Sequence, residues 1–290
     1  YKIYKNTKPL FVYSFFTLII DFADRSIIQF IDGSEEQAYF GVASRFSVIV
    51  FMLSSSINPL IFREFSKASA KHDLVKIRSI ITDYMIILFV FAATIGIFLA
   101  INASDILELF YDGLFEKATV VFAIMCLYPL QQSFNQLMSM LFYATENIRP
   151  YRNIAISSTV LGIILTYLLL MPGNYGGLEM GGIGLATKRM ITQFFGVTVS
   201  LIFFGRKLNF STSKIFLYKM KSCAVLALLA FGINLLFANV SLLLWLELLS
   251  KGTIYLSLVL FFYWRYPKYF GLDVALKRIM IEIYAYKNSR

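Results

Sequence analysis

The chain has 290 residues, of which 58% are hydrophobic and 17% aromatic, and its mean hydropathy is +0.69. A water-soluble domain of this size is about 45–50% apolar, so the composition excludes a single soluble globule and makes lipid the expected solvent. The net charge of +10 raises the question of nucleic acid, but the placement of the basic residues answers it differently.

A helix needs about 20 apolar residues to cross the hydrocarbon core. Eight stretches qualify in chain order: 9–31, 37–61, 79–102, 118–144, 150–171, 182–204, 217–238 and 242–264. No ten-residue stretch alternates with period 2, which argues against a β-barrel. The expected fold class is an all-α membrane protein of about eight transmembrane helices. Residues 1–264 form its helical domain and 265–290 a cytoplasmic amphipathic tail. Tyr1-Lys2-Ile3-Tyr4-Lys5 leads into the first span without a cleavage pattern, so no removable signal peptide is expected.

Two segments outside the spans have helical character of their own. Residues 103–117 mix acids with Leu and Phe and read as a short helix lying in the outer interface. In the tail, Leu272–Tyr286 sets Val274, Ile279, Ile281 and Ile283 beside Lys277 and Arg278, an inner-face amphipathic helix.

Charge orients the bundle. The N-terminus, the connections 62–78, 145–153 and 205–221, and the tail hold 21 of the 27 Lys and Arg residues. The opposite connections hold one, Lys117. Cytoplasmic loops carry the Lys/Arg excess, which puts both termini in the cytoplasm. The positive charge is therefore topological and sits at lipid headgroup level, so membrane lipids are expected partners and nucleic acid is not.

Several charges fall inside the spans: Asp21, Asp24, Arg25, Arg45, Lys188, Arg189, Glu247 and Lys251. Each costs about 2.5–3.5 kcal/mol at a helix centre, so each must face a cavity, pair with an opposite charge or snorkel. Counted from the outer ends of their spans, Arg25, Arg45, Lys188 and Arg189 share a layer about 9–12 Å deep. Cations from three helices in one layer suit a cavity that binds a polyanion. Pairing is the competing explanation. Asp21 and Arg25 are i,i+4, as are Glu247 and Lys251, and Arg25 or Arg45 can also pair with Asp21 or Asp24 between helices. Lys188 and Arg189 cannot face one direction, so one lines the cavity while the other snorkels or meets an acid.

The fourth span adds Gln131, Gln132 and Asn135. Gln131 and Asn135 are four residues apart, and such amides either bridge helices or bind sugar hydroxyls. Cys126 and Cys223 lie in apolar runs without metal-ligand spacing. The single histidine, His72, sits in a charged connection. No HExxH, phosphate-binding glycine loop or Ser/His/Asp arrangement is present, so no catalytic residue, metal or cofactor is expected.

The segment FADRSIIQFIDGSEEQAYFGVASRFS resembles the start of the C-terminal lobe of polysaccharide-repeat-unit flippases. These belong to the multidrug/oligosaccharidyl-lipid/polysaccharide exporter superfamily. Pro59 and Arg63 fall where the second helix of that lobe usually ends. DILELFYDGLFEKA, FYATENIRPYRN and GGIGLAT are similar to its outer interfacial segment, inner loop and Gly-Ala-rich helix start. The loop MPGNYGGLEMGG is longer than usual, and the Lys188-Arg189 doublet is not a family feature.

The resemblance implies a fourteen-helix protein of two lobes around a central cavity, of which this chain supplies the last eight helices. It implies, as substrate, an undecaprenyl-diphosphate-linked oligosaccharide of the O-antigen type, flipped across the bacterial inner membrane by alternating access. Polysaccharide polymerase and assembly proteins are the implied protein partners. Arg25 and Arg45, with Lys188 or Arg189, would bind the anionic headgroup, Gln131 and Asn135 would contribute amides, and Asp21 or Asp24 would tune the site or carry a coupling ion.

A drug or cation antiporter of the same superfamily would call for a more acidic cavity. A polymerase or lipid-linked glycosyltransferase would call for a large outer loop with Arg, His or acidic groups. A non-transporting scaffold subunit would show no coupling in a transport assay.

Overall fold

Lipid offers a backbone no hydrogen-bond partner but itself, so each apolar run closes into a helix. The computed structural model describes residues 2–240 and 242–273, with side chains from residue 15 onward except those of residues 54 and 214. These residues form ten α-helices. They are α1 (Lys2–Ile31), α2 (Ser34–Ser55), α3 (Asn58–Ala70), α4 (Leu74–Ile101), α5 (Ala103–Tyr111), α6 (Thr119–Ala144), α7 (Ile148–Leu170), α8 (Gly181–Leu208), α9 (Thr212–Phe237) and α10 (Leu244–Arg265). The eight longest, all but α3 and α5, match the eight expected spans apart from their ends.

By length and hydropathy alone, α4, α7, residues 215–237 of α9 and α10 can cross a membrane, and α2 with α3 forms a fifth, broken span. The helices α1, α6 and α8 are as long, at 30, 26 and 28 residues. The hydropathy of α6 is lowered by Gln131, Gln132 and Asn135, and that of α8 by Lys188 and Arg189. Outward faces are apolar: Leu228 and Leu236 on α9 and Leu260 and Trp264 on α10 are all exposed. Surfaces of that kind belong in lipid. The chain is a multi-pass membrane protein of all-α fold.

The second span does not end at Pro59 and Arg63. It bends by 51° between α2 and α3, and α3 then runs on to Ala70. Pro59 explains the break, because it has no N–H to continue the hydrogen-bond ladder back to Ser55 and instead opens α3 as its second residue. Ser55 and Ser56 weaken the preceding turn as their hydroxyls donate to the Met52 and Leu53 carbonyls.

The helix α6 is the hub, packed by α2, α3, α4 and α8. Its closest neighbour is α4: a Cβ on Gly96 would lie 2.5 Å from the Cys126 carbonyl oxygen, so only glycine fits. Phe65, Phe134, Phe142, Phe204 and Tyr255 belong to one core, and Ile28, Phe40, Phe122 and Leu185 fill a second nearer the α1–α2 turn. The Asn58 and Gln136 amides bond α3 to α6.

The connections gather at two ends. The α3–α4, α6–α7 and α8–α9 turns meet at the basic end, where Lys207 Nζ lies 3.0 Å from Asn147 Oδ1. The α1–α2, α7–α8 and α9–α10 turns and α5 occupy the far end. The expected short helix in 103–117 is α5, which stops at Asp112 in a left-handed conformation (φ 48°). The long α7–α8 connection is also ordered. Leu178, Glu179 and Met180 donate their amides to the Leu168, Met171 and Leu169 carbonyls, closing the exposed end of α7. A Cβ on Gly177 would sit 1.9 Å from the Met171 carbonyl oxygen, so this fold-back demands glycine. Of the amphipathic tail, residues 274–290 lie outside the described residues.

Candidate functional site

Helices α1, α6, α7 and α8 enclose a cavity of about 250 Å³. From α1 it is lined by Thr17, Asp21 and Asp24, and from α6 by Tyr128 and Asn135. From α7 come Tyr151, Ser158 and Thr159, and from α8 Lys188, Arg189, Thr192, Gln193 and Ser200. Four charges and this density of hydroxyls and amides are otherwise expensive among membrane helices.

Local sequence explains how α7 and α8 come close enough to build two walls. Gly162 on α7 leaves room for the Lys188 stem, since a Cβ there would lie 3.4 Å from Lys188 Cε. Gly196 on α8 leaves room for Ser158, whose Oγ would be 3.2 Å from an added Cβ. Small residues at four-residue spacing let membrane helices approach through one face.

At the far end, the Glu36 carboxylate accepts from the Gly182 amide at 2.9 Å. It thereby caps α8 across helices and meets the positive end of its dipole. A Cβ on Gly181 would lie 2.9 Å from Glu36 Oε2, and Gly181 has φ +51°, so the glycines of GGIG open the path for that carboxylate.

Two interhelical ion pairs organise the cavity. Asp24 and Lys188 are both 5% exposed and form a direct pair between α1 and α8. The Thr166 hydroxyl of α7 donates to Asp24 Oδ1 at 2.9 Å, so three helices meet at this carboxylate. Asp21 pairs with Arg189 and also lies 3.5 Å from Arg25 Nη2. The Arg189 guanidinium sits 4.9 Å from the centroid of the Phe40 ring, adding α2 to the contact. The second cluster thus has one carboxylate between two guanidiniums, with an excess of one positive charge.

The sequence-predicted residues divide accordingly. Lys188 and Arg189 both line the cavity and both meet acids, so neither snorkels. Neighbouring residues manage this because α1 presents Asp21 and Asp24, nearly one turn apart, to the same stretch of α8. Asn135 lines the cavity, whereas Gln131 lines a separate void between α6, α8 and α9. Arg25 is exposed and reaches the cluster through Asp21, and Arg45 is exposed on α2 with no acidic partner among the described residues. Glu247 and Lys251 form the expected pair at 2.7 Å, and Asp105 of α5 joins them at 2.9 Å. Among the described residues no three His, Cys, Asp or Glu side chains gather as metal ligands.

Sequence reading missed the hydroxyl walls: Ser158 and Thr159 on α7 and Thr192 and Ser200 on α8. Single hydroxyls barely lower hydropathy. A signal was nonetheless present in Ser158-Gly162-Thr166 and Thr192-Gly196-Ser200, two small polar rows at four-residue spacing.

Outside the spans, Asp32 follows α1 beside Glu36 and Glu179. Partial burial and these two carboxylates push its pKa above the usual aspartate value.

Fold and cavity together define a polytopic helical membrane protein with a polar, charged chamber at the meeting of four helices. Scans against protein-family models and curated proteins give no match. Among solved structures the chain is similar to a lipid II flippase, MurJ, in an inward closed conformation, with a TM-score of 0.60 and 19% sequence identity. The match covers 88% of this chain and 54% of that one, so the chain spans about half the length of the flippase it resembles. At that identity the likeness establishes the fold.

Proposed function

We propose that this chain is the helical lobe of a flippase that carries an undecaprenyl-diphosphate-linked oligosaccharide repeat unit across the bacterial inner membrane. The product would serve surface polysaccharide synthesis, upstream of a polymerase and its assembly proteins. The observation that carries this reading is the Arg25–Asp21–Arg189 cluster at the polar cavity, with its excess positive charge. A diphosphate entering the cavity competes with Asp21 for two guanidiniums, which bind phosphate oxygens bidentately. Asn135, Gln193 and the hydroxyls of α7 and α8 suit sugar hydroxyls. The fold likeness to a lipid II flippase supports transport of a lipid-linked substrate rather than catalysis.

In this reading the buried Asp24–Lys188–Thr166 junction holds α1, α7 and α8 together, while the more exposed Asp21–Arg189 pair opens to substrate. The basic end faces the cytoplasm, as the distribution of Lys and Arg supports. Arg45 lies outside the cavity in this state and would meet the substrate only in another state of the transport cycle.

The test is export of surface polysaccharide in cells expressing the full-length gene product. Arg25→Gln with Arg189→Gln, at normal membrane abundance, should abolish export, and Arg25→Gln with Arg45→Gln should do the same. Undiminished export in the first pair would overturn the proposal.

Two carboxylates in the cavity favour one second reading, a cation-coupled antiporter of small molecules. There Asp21→Asn would abolish ion-dependent drug efflux while polysaccharide export never depended on the protein.

A further inference from the structure

Among the described residues three lysines reach into the helix bundle, and two of them are paired with carboxylates: Lys188 with Asp24, and Lys251 with Asp105 and Glu247. The third, Lys219 of α9, has no carboxylate partner among the described residues. Its Nζ lies 3.5 Å from the centroid of the Phe134 ring and 5.9 Å from that of Phe89. Both rings are buried. Aromatic faces attract an ammonium, but they replace only part of the hydration it gives up on leaving water. An anion is the missing element.

The space beside Lys219 has room for one. A void of about 280 Å³ runs between α6, α8 and α9, and among the described residues Lys219 is its only charged wall residue. Gln131 adds an amide, and Leu130, Val197 and Leu201 make the rest of the wall chiefly apolar. Thr212, the first residue of α9, also lines it, so the void reaches the basic end of the bundle. Phe194, Phe216 and Met220 lie on its rim and are themselves exposed, which opens it sideways to lipid. It shares no lining residue with the polar cavity; the two lie on opposite faces of α8.

A lone cation, a neutral donor and a greasy crevice open to the bilayer together specify an anionic amphiphile. We propose that this crevice binds an anionic phospholipid of the surrounding membrane. Its phosphate sits on Lys219 and Gln131, and one acyl chain runs along Val197 and Leu201. Because α8 walls both voids, the bound lipid also steadies the helix that carries Lys188 and Arg189. This site is independent of the flippase reading, since it concerns a bulk lipid and another face of the bundle.

Native mass spectrometry of the purified full chain tests it, with phosphatidylglycerol and phosphatidylethanolamine added at equal concentration. Phosphatidylglycerol should be retained about tenfold more tightly, because both lipids offer Lys219 a phosphate but the ethanolamine ammonium repels it. Lys219→Met should remove that preference and Lys219→Arg should keep it. Leu201→Trp keeps the ammonium but fills the chain space, and should weaken phosphatidylglycerol binding by a similar factor. This variant decides the matter if Lys219→Met does not fold.

An unchanged preference in Lys219→Met, or undiminished phosphatidylglycerol binding in Leu201→Trp, would overturn the proposal. So would displacement of phosphatidylglycerol by millimolar inorganic phosphate, which would make this a free-anion site. Displacement by equimolar undecaprenyl phosphate would assign the crevice to a polyprenyl carrier instead.

Discussion

Lys188 and Lys251 are equally buried, at 5% exposure each, and each is held by an aspartate from another helix, yet their surroundings differ. Lys188 meets a single carboxylate, Asp24, as inaccessible as itself, at the junction of α1, α7 and α8. Lys251 meets two, Asp105 and Glu247, whose side chains are 32% and 19% exposed, and it joins only α5 to α10. One is a closed pair fronting a cavity; the other is a clasp at the rim of the bundle. Burial of a lysine therefore does not mark a functional site by itself. What matters is whether its partner can fall back on water or headgroups, and whether a chamber adjoins the pair.

Asp24→Asn breaks the closed pair and leaves Lys188 charged among three helices. The expected loss is about 3–5 kcal/mol of stability, the cost of stranding a buried charge. Asp24→Asn combined with Lys188→Met removes both charges and should regain most of that loss, because the pair's attraction largely offsets its desolvation. Thermal unfolding of the purified variants in detergent measures both. Additive losses in the double variant would break the comparison, since they would mean that the two residues do not act as a pair.

Lys251→Met should cost less, about 1–2 kcal/mol, because Asp105 and Glu247 are already part-exposed and can be solvated. The same unfolding assay reads it. A loss as large as that of Asp24→Asn would show the clasp to be as closed as the cavity pair.

The sequence exposes this contrast only in part. Glu247–Lys251 was legible because i,i+4 spacing fixes it locally. Asp105 was not, since nothing local relates residue 105 to residue 251. The same holds for Lys188 and Arg189, whose acids lie on α1, some 164 and 168 residues away. Intramembrane position marked these residues as costly without naming their partners, and so a layer of cations was read where the fold supplies an acid for each member of the doublet. Spans were legible because lipid demands apolar length, whereas Pro59 was read as the end of the second helix and the fold makes it a bend into α3. Gln131 and Asn135 share a helix face by spacing but line different voids. The helix α6 is packed on several sides, and one turn moves an amide from one neighbour group to the next.

A smaller version of the contrast lies at the α1–α2 turn, where Asp32, Glu36 and Glu179 gather without a cation among the described residues. Glu36 has the N-terminus of α8 to neutralise it, and Glu36→Gln should cost about 1 kcal/mol through the weakened cap. Asp32 has no such partner: burial, Glu36 and Glu179 raise its pKa, so its charged form opposes folding. In acid, below the usual aspartate range, Asp32 is protonated in folded and unfolded chains alike and costs nothing. As pH rises past that range, the unfolded chain releases its proton first and stability falls, until the raised folded pKa is passed and the penalty becomes constant. Asp32→Asn should therefore raise the melting temperature slightly at neutral pH, with the gain shrinking to nothing in acid, while Glu36→Gln lowers it. A gain for Asp32→Asn that is the same at pH 3 and pH 7 would show that side-chain packing, not charge, sets the difference between these two neighbours.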